Sequence, residues 1–345
     1  TATATQTATI TPPDPACTMT VAAGDVTGLI AVINAANGSG NADIICLTNS
    51  TYTLTSAAAA SNGLPVISTP ISIWGYNATI ERDSSAGQFR LLQVSGAGNL
   101  TLRDMTLRNG SVSTQGGAIY NAGGALSVSN VLLTNNSSTG GGAIYNVGGT
   151  VNIAGSTISG NRAIGGSGGG VLSTGVGSSL VISASTLTQN QAANGGGVYN
   201  LDGGLQVSGT FVTSNSASSN GGGIYTSGTG TASVTNTVLI GNTAFTGGAM
   251  FNGSSQLTLN GNNISSNTAS ISGGAVNTIS SAVTANQNCI VSNIGTNGIV
   301  NNSASAGMAN FESNWWGVAA GPTAGMLVGN IDASPFLTAA PSACS

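Results

Sequence analysis

Short runs of apolar–polar alternation, broken by small polar corners, fill the middle of the chain. Val151-Asn152-Ile153 is followed after a corner by Thr157-Ile158-Ser159-Gly160-Asn161, and Leu180-Val181-Ile182 by Thr186-Leu187-Thr188-Gln189-Asn190. Leu257-Thr258-Leu259 and Asn263-Ile264-Ser265-Ser266-Asn267 repeat the phrase. Alternation with period two marks short strands with one buried face. A third run opens on glycine. Gly116-Gly117-Ala118-Ile119-Tyr120-Asn121 returns as Gly141-Gly142-Ala143-Ile144-Tyr145-Asn146, then as Gly196-Gly197-Val198-Tyr199-Asn200, Gly222-Gly223-Ile224-Tyr225-Thr226 and three looser copies. Its apolar position falls at Ile119, Ile144, Val171, Val198, Ile224, Met250 and Val276, at intervals of 25, 27, 27, 26, 26 and 26 residues. With three strands per period and no helical spacing inside the array, each period is one coil of an all-β parallel solenoid.

The corners and ends extend this picture. Asn109, Asn135, Asn161, Asn190, Asn215, Asn242, Asn267 and Asn293 recur once per coil after an apolar strand. Stacked about 4.8 Å apart, such side chains form an amide ladder, and about nine coils give a core roughly 45 Å long. Tyr120, Tyr145, Tyr199, Tyr225 and Phe251 also recur by coil; an inward or half-buried stack is expected of them ahead of a sugar-stacking stripe. Asp25 is placed to cap a helix through Val26, Leu29, Ile30, Val32 and Ile33 that stops at Asn37-Gly38 and covers the first coil. At the far end Phe311-Glu312-Ser313-Asn314-Trp315-Trp316-Gly317 breaks the repeat, and Trp315 and Trp316 are expected to plug the last coil. The organisation is an extension at 1–16, an N-terminal cap at 17–70, β-helix repeats at 71–310 and a closing segment at 311–345.

Composition narrows function. Only 14 of 345 residues are charged, with no lysine and no histidine, and the net charge is −4. That leaves no grip for nucleic acid or an anionic membrane, no imidazole base or metal ligand and no Schiff-base lysine. A phosphate loop lacks its lysine, and a calcium-binding nonapeptide repeat lacks its aspartates, Asp202 being alone in its region. No cofactor is implied. No apolar run is long enough to span a membrane as a helix. Four cysteines fit an oxidising compartment, and the pairing Cys17–Cys46 with Cys289–Cys344 staples each end. The Thr/Ala start is expected to be the mature end left after a signal peptide is removed.

Cys17, the Ile30-Ala31-Val32-Ile33-Asn34-Ala35-Ala36-Asn37 segment and Ile44-Ile45-Cys46-Leu47 resemble the N-terminal cap of bacterial extracellular right-handed parallel β-helix proteins. The Gly-Gly-Ala-Ile-Tyr-Asn repeats are similar to the same group, which includes polymorphic outer-membrane and adhesin-like proteins. Asn314-Trp315-Trp316-Gly317 with Gly321-Pro322 resembles the usual close of such helices. The likeness covers residues 17 to about 340 and implies a right-handed β-helix outside the cell or on its surface.

Half of the charges lie between Glu81 and Arg108. Aligning Asn77–Arg82 with Asn99–Asp104 pairs Glu81 with Arg103 and Arg82 with Asp104 across one coil, exposed pairs that mainly fix register. The acids are too few for the clustered sites of β-helical polysaccharide lyases and hydrolases. The chain is therefore expected to be a non-enzymatic secreted structural protein. Alternating Thr and Ala at residues 1–11, with Thr1, Thr3, Thr5, Thr7 and Thr9 on one face, suits strand addition to the next copy, giving a head-to-tail homopolymer. The alternative is an adhesin binding glycans or surfaces; a lyase or hydrolase relative and an ice-binding protein come after it.

Overall fold

A computed structural model describes residues 16–253, 255–279, 282–303 and 307–344. The proposed assembly strand at Thr1, Thr3, Thr5, Thr7 and Thr9 lies outside them. The chain forms a parallel β-solenoid of about 12 turns with about 26 residues per turn and one helix near the N-terminus. Three sheets stack along it, with 20, 10 and 7 strands among the described residues. From Leu92 onward each coil contributes a strand to the ten-stranded sheet, most coils add a double run to the long sheet, and the middle coils add a short strand to the seven-stranded sheet.

Register follows the repeat. Ile119, Ile144, Val171, Val198, Ile224, Met250 and Val276 pair in one column, and all are buried. The column continues to Leu92 before them and to Val300 and Leu327 after. Leu126, Val151, Leu180, Leu205, Ala232, Leu257 and Val283 make a second buried column on the long sheet. The coil count exceeds the nine expected because the outer coils lack the glycine phrase. Asp43–Leu47 and Thr51–Leu54 already pair in parallel with Pro70–Arg82, although they fall within the 17–70 segment expected to be cap.

The glycine pairs have two separate causes. Gly141 sits at φ +64, left-handed backbone that L side chains rarely adopt. Gly142 has an ordinary φ, but an added Cβ would lie 2.2 Å from the Gly169 carbonyl oxygen of the next coil. Turn and close approach together demand the doublet.

Helix α1 spans Val26–Ser39. The Asp25 carboxylate accepts the Gly28 N–H at 2.8 Å, and Gly40 closes the helix in the left-handed conformation, two residues beyond the expected stop. Leu29, Ile33 and Ala36 are fully buried over the first coils. At the other end Phe311 and Trp316 are buried, whereas Trp315 is half-buried and lies on the side of Cys289. Trp316, rather than both tryptophans, fills the end of the core. Cys17–Cys46 and Cys289–Cys344 are disulfides, so each end is closed by an apolar cover and a covalent link. Among the described residues no helix is long and apolar enough to cross a membrane.

Because each coil touches only its neighbours, damage at one end stays local. Replacing Cys289 and Cys344 by serine should destabilise the last coils by about 2–4 kcal/mol. Hydrogen exchange followed by mass spectrometry should then accelerate beyond Cys289 while strands around Ile144 and Val198 keep their protection. Uniform acceleration would show instead that the rod opens as one unit.

Candidate functional site

Four columns of polar or aromatic side chains are aligned by the coils, and each has a different part to play. The first is the ladder. The Nδ2 of Asn190 donates to the Asn215 Oδ1 at 2.9 Å and to the Ile158 carbonyl at 2.9 Å. Its Oδ1 accepts from the backbone N and the Nδ2 of Asn161, each at 3.0 Å. All four hydrogen-bonding positions of the amide are therefore used in a fully buried setting. The same linkage runs from Asn136 through Asn161, Asn190, Asn215, Asn242 and Asn267 to Asn293.

Asn109 and Asn135 are not members, which corrects the sequence alignment. They occupy the corner one residue earlier, at φ 62 and 55, in the position held by Gly160, Gln189 and Ser214 in later coils. The ladder residue after Asn109 is Gly110, whose N–H donates to the Asn136 Oδ1 at 2.9 Å and ends the run. Asparagine is favoured in left-handed backbone as well as in the ladder, so two adjacent positions attract it for separate reasons.

A second buried column lies at the bend of the long sheet and changes from hydroxyls to amides. Ser156, Ser185, Thr210 and Thr237 give way to Asn262, Asn288 and Asn314, linked Nδ2 to Oδ1 at 2.8 Å. A third, within the ten-stranded sheet, joins Asn121 to Asn146 at 2.8 Å and Asn146 to Ser173 at 3.0 Å. There the Oδ1 atoms of Asn121, Asn200 and Asn252 have no hydrogen-bond partner. Neither column was anticipated; a Ser/Thr/Asn recurring at the buried parity of a strand was the available signal.

The charged patch pairs differently from expectation. Glu81 faces Arg108, Oε2 to Nε 2.6 Å, and also accepts from the Thr53 hydroxyl at 3.0 Å. Asp104 pairs with its own neighbour Arg103 at 2.9 Å and accepts from the Asn130 amide. Arg82 donates to the carbonyls of Asn109, Asp83 and Ala86. The expected Glu81–Arg103 and Arg82–Asp104 register fails because Asn99 stands opposite Pro70, not Asn77. Residues 75–77 make an excursion where the next coil has Asp104 alone. Arg103 instead lies opposite Trp74, its guanidinium carbon 4.6 Å from the ring centroid. Asp83 is held below the usual carboxylate range by hydrogen bonds from Ser85. Arg90 is buried with its guanidinium bonded to Asn62, Thr114 and the Gln115 carbonyl and set over Tyr120. Among the described residues no group of three or more His, Cys, Asp or Glu could hold a metal ion.

The aromatic residues alternate with buried neighbours, Ile119 in and Tyr120 out, so the stack lies on the outer face of the ten-stranded sheet. Tyr199 and Tyr225 stack at 4.5 Å and 6°, Tyr225 and Phe251 at 5.1 Å and 8°, and Tyr120 and Tyr145 tilt together at 5.5 Å. The rings are half-buried. Desolvation pushes the Tyr199 phenol up to about 12, with Tyr225 and Asp202 adding to the shift, and it raises Tyr145 as well.

Residues 130–147 and 209–227 match the Chlamydia polymorphic membrane protein repeat. Both matched segments lie on middle coils of the parallel β-solenoid. The two segments cover the same part of a coil. Each runs from a left-handed corner, Asn130 or Gly209, past a ladder asparagine, Asn136 or Asn215, to a strand carrying Tyr145 or Tyr225. No curated protein and no solved structure matches the chain.

Asn215→Ala orphans buried donors on Asn190 and the Leu187 carbonyl, so it should destabilise the rod by about 3 kcal/mol in urea unfolding. Asn135→Gly, at an exposed left-handed corner, should change stability by less than about 0.5 kcal/mol. Equal losses from the two would return Asn135 to the ladder.

Proposed function

We propose that the chain is a non-enzymatic, adhesin-like structural rod displayed at the cell surface. The observation that carries this reading is the polymorphic membrane protein repeat matched at two places on a parallel β-solenoid. The outer surface supports it. Most outward positions on the long sheet are neutral and polar, as in the column Ser72, Thr101, Ser127, Asn152, Val181, Gln206, Ser233, Thr258 and Thr284. A rod that offers one kind of surface many times over binds through multiplicity more than through any single contact. Ice binding has little support: outward Thr157 and Thr186 are followed in their column by Phe211 and Val238.

The head-to-tail filament is the second reading. Strand Met19–Val21 pairs with Asp43–Leu47 on one side only, and among the described residues no strand lies along its other edge. A strand from a neighbouring copy would fit there, with residues 1–11 as the donor.

One preparation tests both. Beads coated with the chain should be retained on cultured epithelial cells and released by soluble chain in excess; retention no better than albumin-coated beads would end the adhesive reading. Negative-stain images of the same protein beside a version lacking residues 1–11 address assembly. Filaments from the full chain alone would establish the polymer, and single short rods from both would remove it.

A further inference from the structure

The outward aromatic stack is interrupted once. Register places Tyr120, Tyr145, Leu172, Tyr199, Tyr225 and Phe251 in one column, one residue per coil. Leu172 is the only non-aromatic member between Tyr120 and Phe251, and it is 8% exposed. It lies down toward Gly140, where an added Cβ would come within 3.3 Å of its Cδ1. The layer that a ring would occupy is therefore open, with Tyr145 on one side and Tyr199 on the other. The resulting groove holds about 280 Å³, with Leu172 as its floor and Gln115, Thr139 and Ser167 on its rim.

We infer that this gap binds a neutral pyranose residue of a glycan, inserted edge-on between Tyr145 and Tyr199. The inference rests on the adhesive reading and names its ligand class. Coils repeat at about 4.8 Å, so Tyr145 and Tyr199 stand about 10 Å apart, two layers with one missing. That spacing takes a single ring in contact with both tyrosines. A pyranose chair presents C–H groups on its faces and hydroxyls around its edge. The faces suit the two aromatic walls, and the hydroxyls suit the amide of Gln115 and the hydroxyls of Thr139 and Ser167. The volume is just under the range of about 300–1,000 Å³ usual for small-molecule sites, room for one ring and not for several. The named walls and rim carry no formal charge, which suits a neutral sugar; Asp202 follows the Tyr199 strand closely enough to act on its phenol, and the Arg90 guanidinium behind Gln115 is already held by Asn62, Thr114 and the Gln115 carbonyl. The inserted ring stands with its plane across the rod, so the remainder of the glycan crosses the ten-stranded face.

The test uses the full chain on an array of neutral oligosaccharides with sialylated and uronate-containing counterparts, followed by titration of the best neutral oligosaccharide. Leu172→Tyr supplies the missing ring and should weaken binding at least about tenfold while leaving thermal stability unchanged or raised. Tyr199→Leu removes a wall and should weaken it similarly, whereas Phe251→Leu, outside the gap, should leave it as it was. The inference is overturned if no neutral glycan is retained, if acidic glycans alone bind, or if Leu172→Tyr binds like the parent chain. The bead assay separates the two levels. Leu172→Tyr beads that hold cells as well as the parent, including enzymatically deglycosylated cells, would remove the gap as the adhesive site and leave adhesion standing. Parent beads that fail to hold cells would strike the adhesive reading, with the array still deciding the gap.

Discussion

Most outward and inward positions on the strands of this molecule have a counterpart in the next coil about 4.8 Å away, and that stacking governs what the sequence can contain. Like must tolerate like. Aliphatic side chains do so by packing, as in the column from Leu92 to Leu327. Charges do not: two equal charges at that distance repel by about 1 kcal/mol in water and by several times more when half-buried. A column of lysines or glutamates would add that term at every step. The 4% charged content is thus a consequence of the architecture. Where charges do occur, signs alternate or a side chain finds another outlet, as with Glu81 against Arg108 and Arg103 over Trp74.

The same stacking makes a polar interior affordable in structural terms. An asparagine amide offers two donors and two acceptor positions, so a column of them is complementary to itself. Serine and threonine are shorter, and in the second column Ser156 and Ser185 reach backbone N–H groups of the preceding coil without forming an unbroken side-chain chain. Once the column becomes Asn262, Asn288 and Asn314, the amides of Asn262 and Asn288 each reach both the next side chain and the preceding backbone. The third column mixes the two chemistries and leaves amide oxygens unbonded at Asn200 and Asn252. Buried polar columns are therefore not equivalent: the unbroken amide run contributes most where every member reaches its neighbours.

The repeat fixed strand order and register because apolar columns recur at one spacing, and the cysteines at the chain ends have few ways to pair. Legibility failed where two causes shared one residue type. Asn109 and Asn135 satisfy the left-handed corner, while Asn136 satisfies the ladder, and sequence does not mark which is which. It failed again where coils differ in length. The Gly75–Asn77 excursion shifts the apparent repeat, so a spacing of 22 residues looked like one coil when Glu81 and its true partner Arg108 are 27 apart. The outer coils were missed because register persists after the glycine phrase is lost. The outward direction of Tyr120 was present in its alternation with Ile119, but Asn121 shares the inward parity, and a polar residue there obscured which face was core.

A surface built from repeated columns has one sort of information, its periodicity, and one way of adding another, a break in a column. The break at Leu172 differs from Phe211 or Ile240 interrupting hydroxyl columns, because those replace a small side chain with a larger one and fill space. Leu172 replaces a ring with a side chain that folds away, and so opens space between two walls already held in place by their coils. Preorganisation is then inherited from the backbone: Tyr145 and Tyr199 are positioned by the buried Ile144 and Val198 beside them, which pair through Val171. A binding layer made by omission needs no loop and no conformational change. It also explains how a rod of near-uniform neutral surface can carry a specific site without departing from the stacking rule that holds it together.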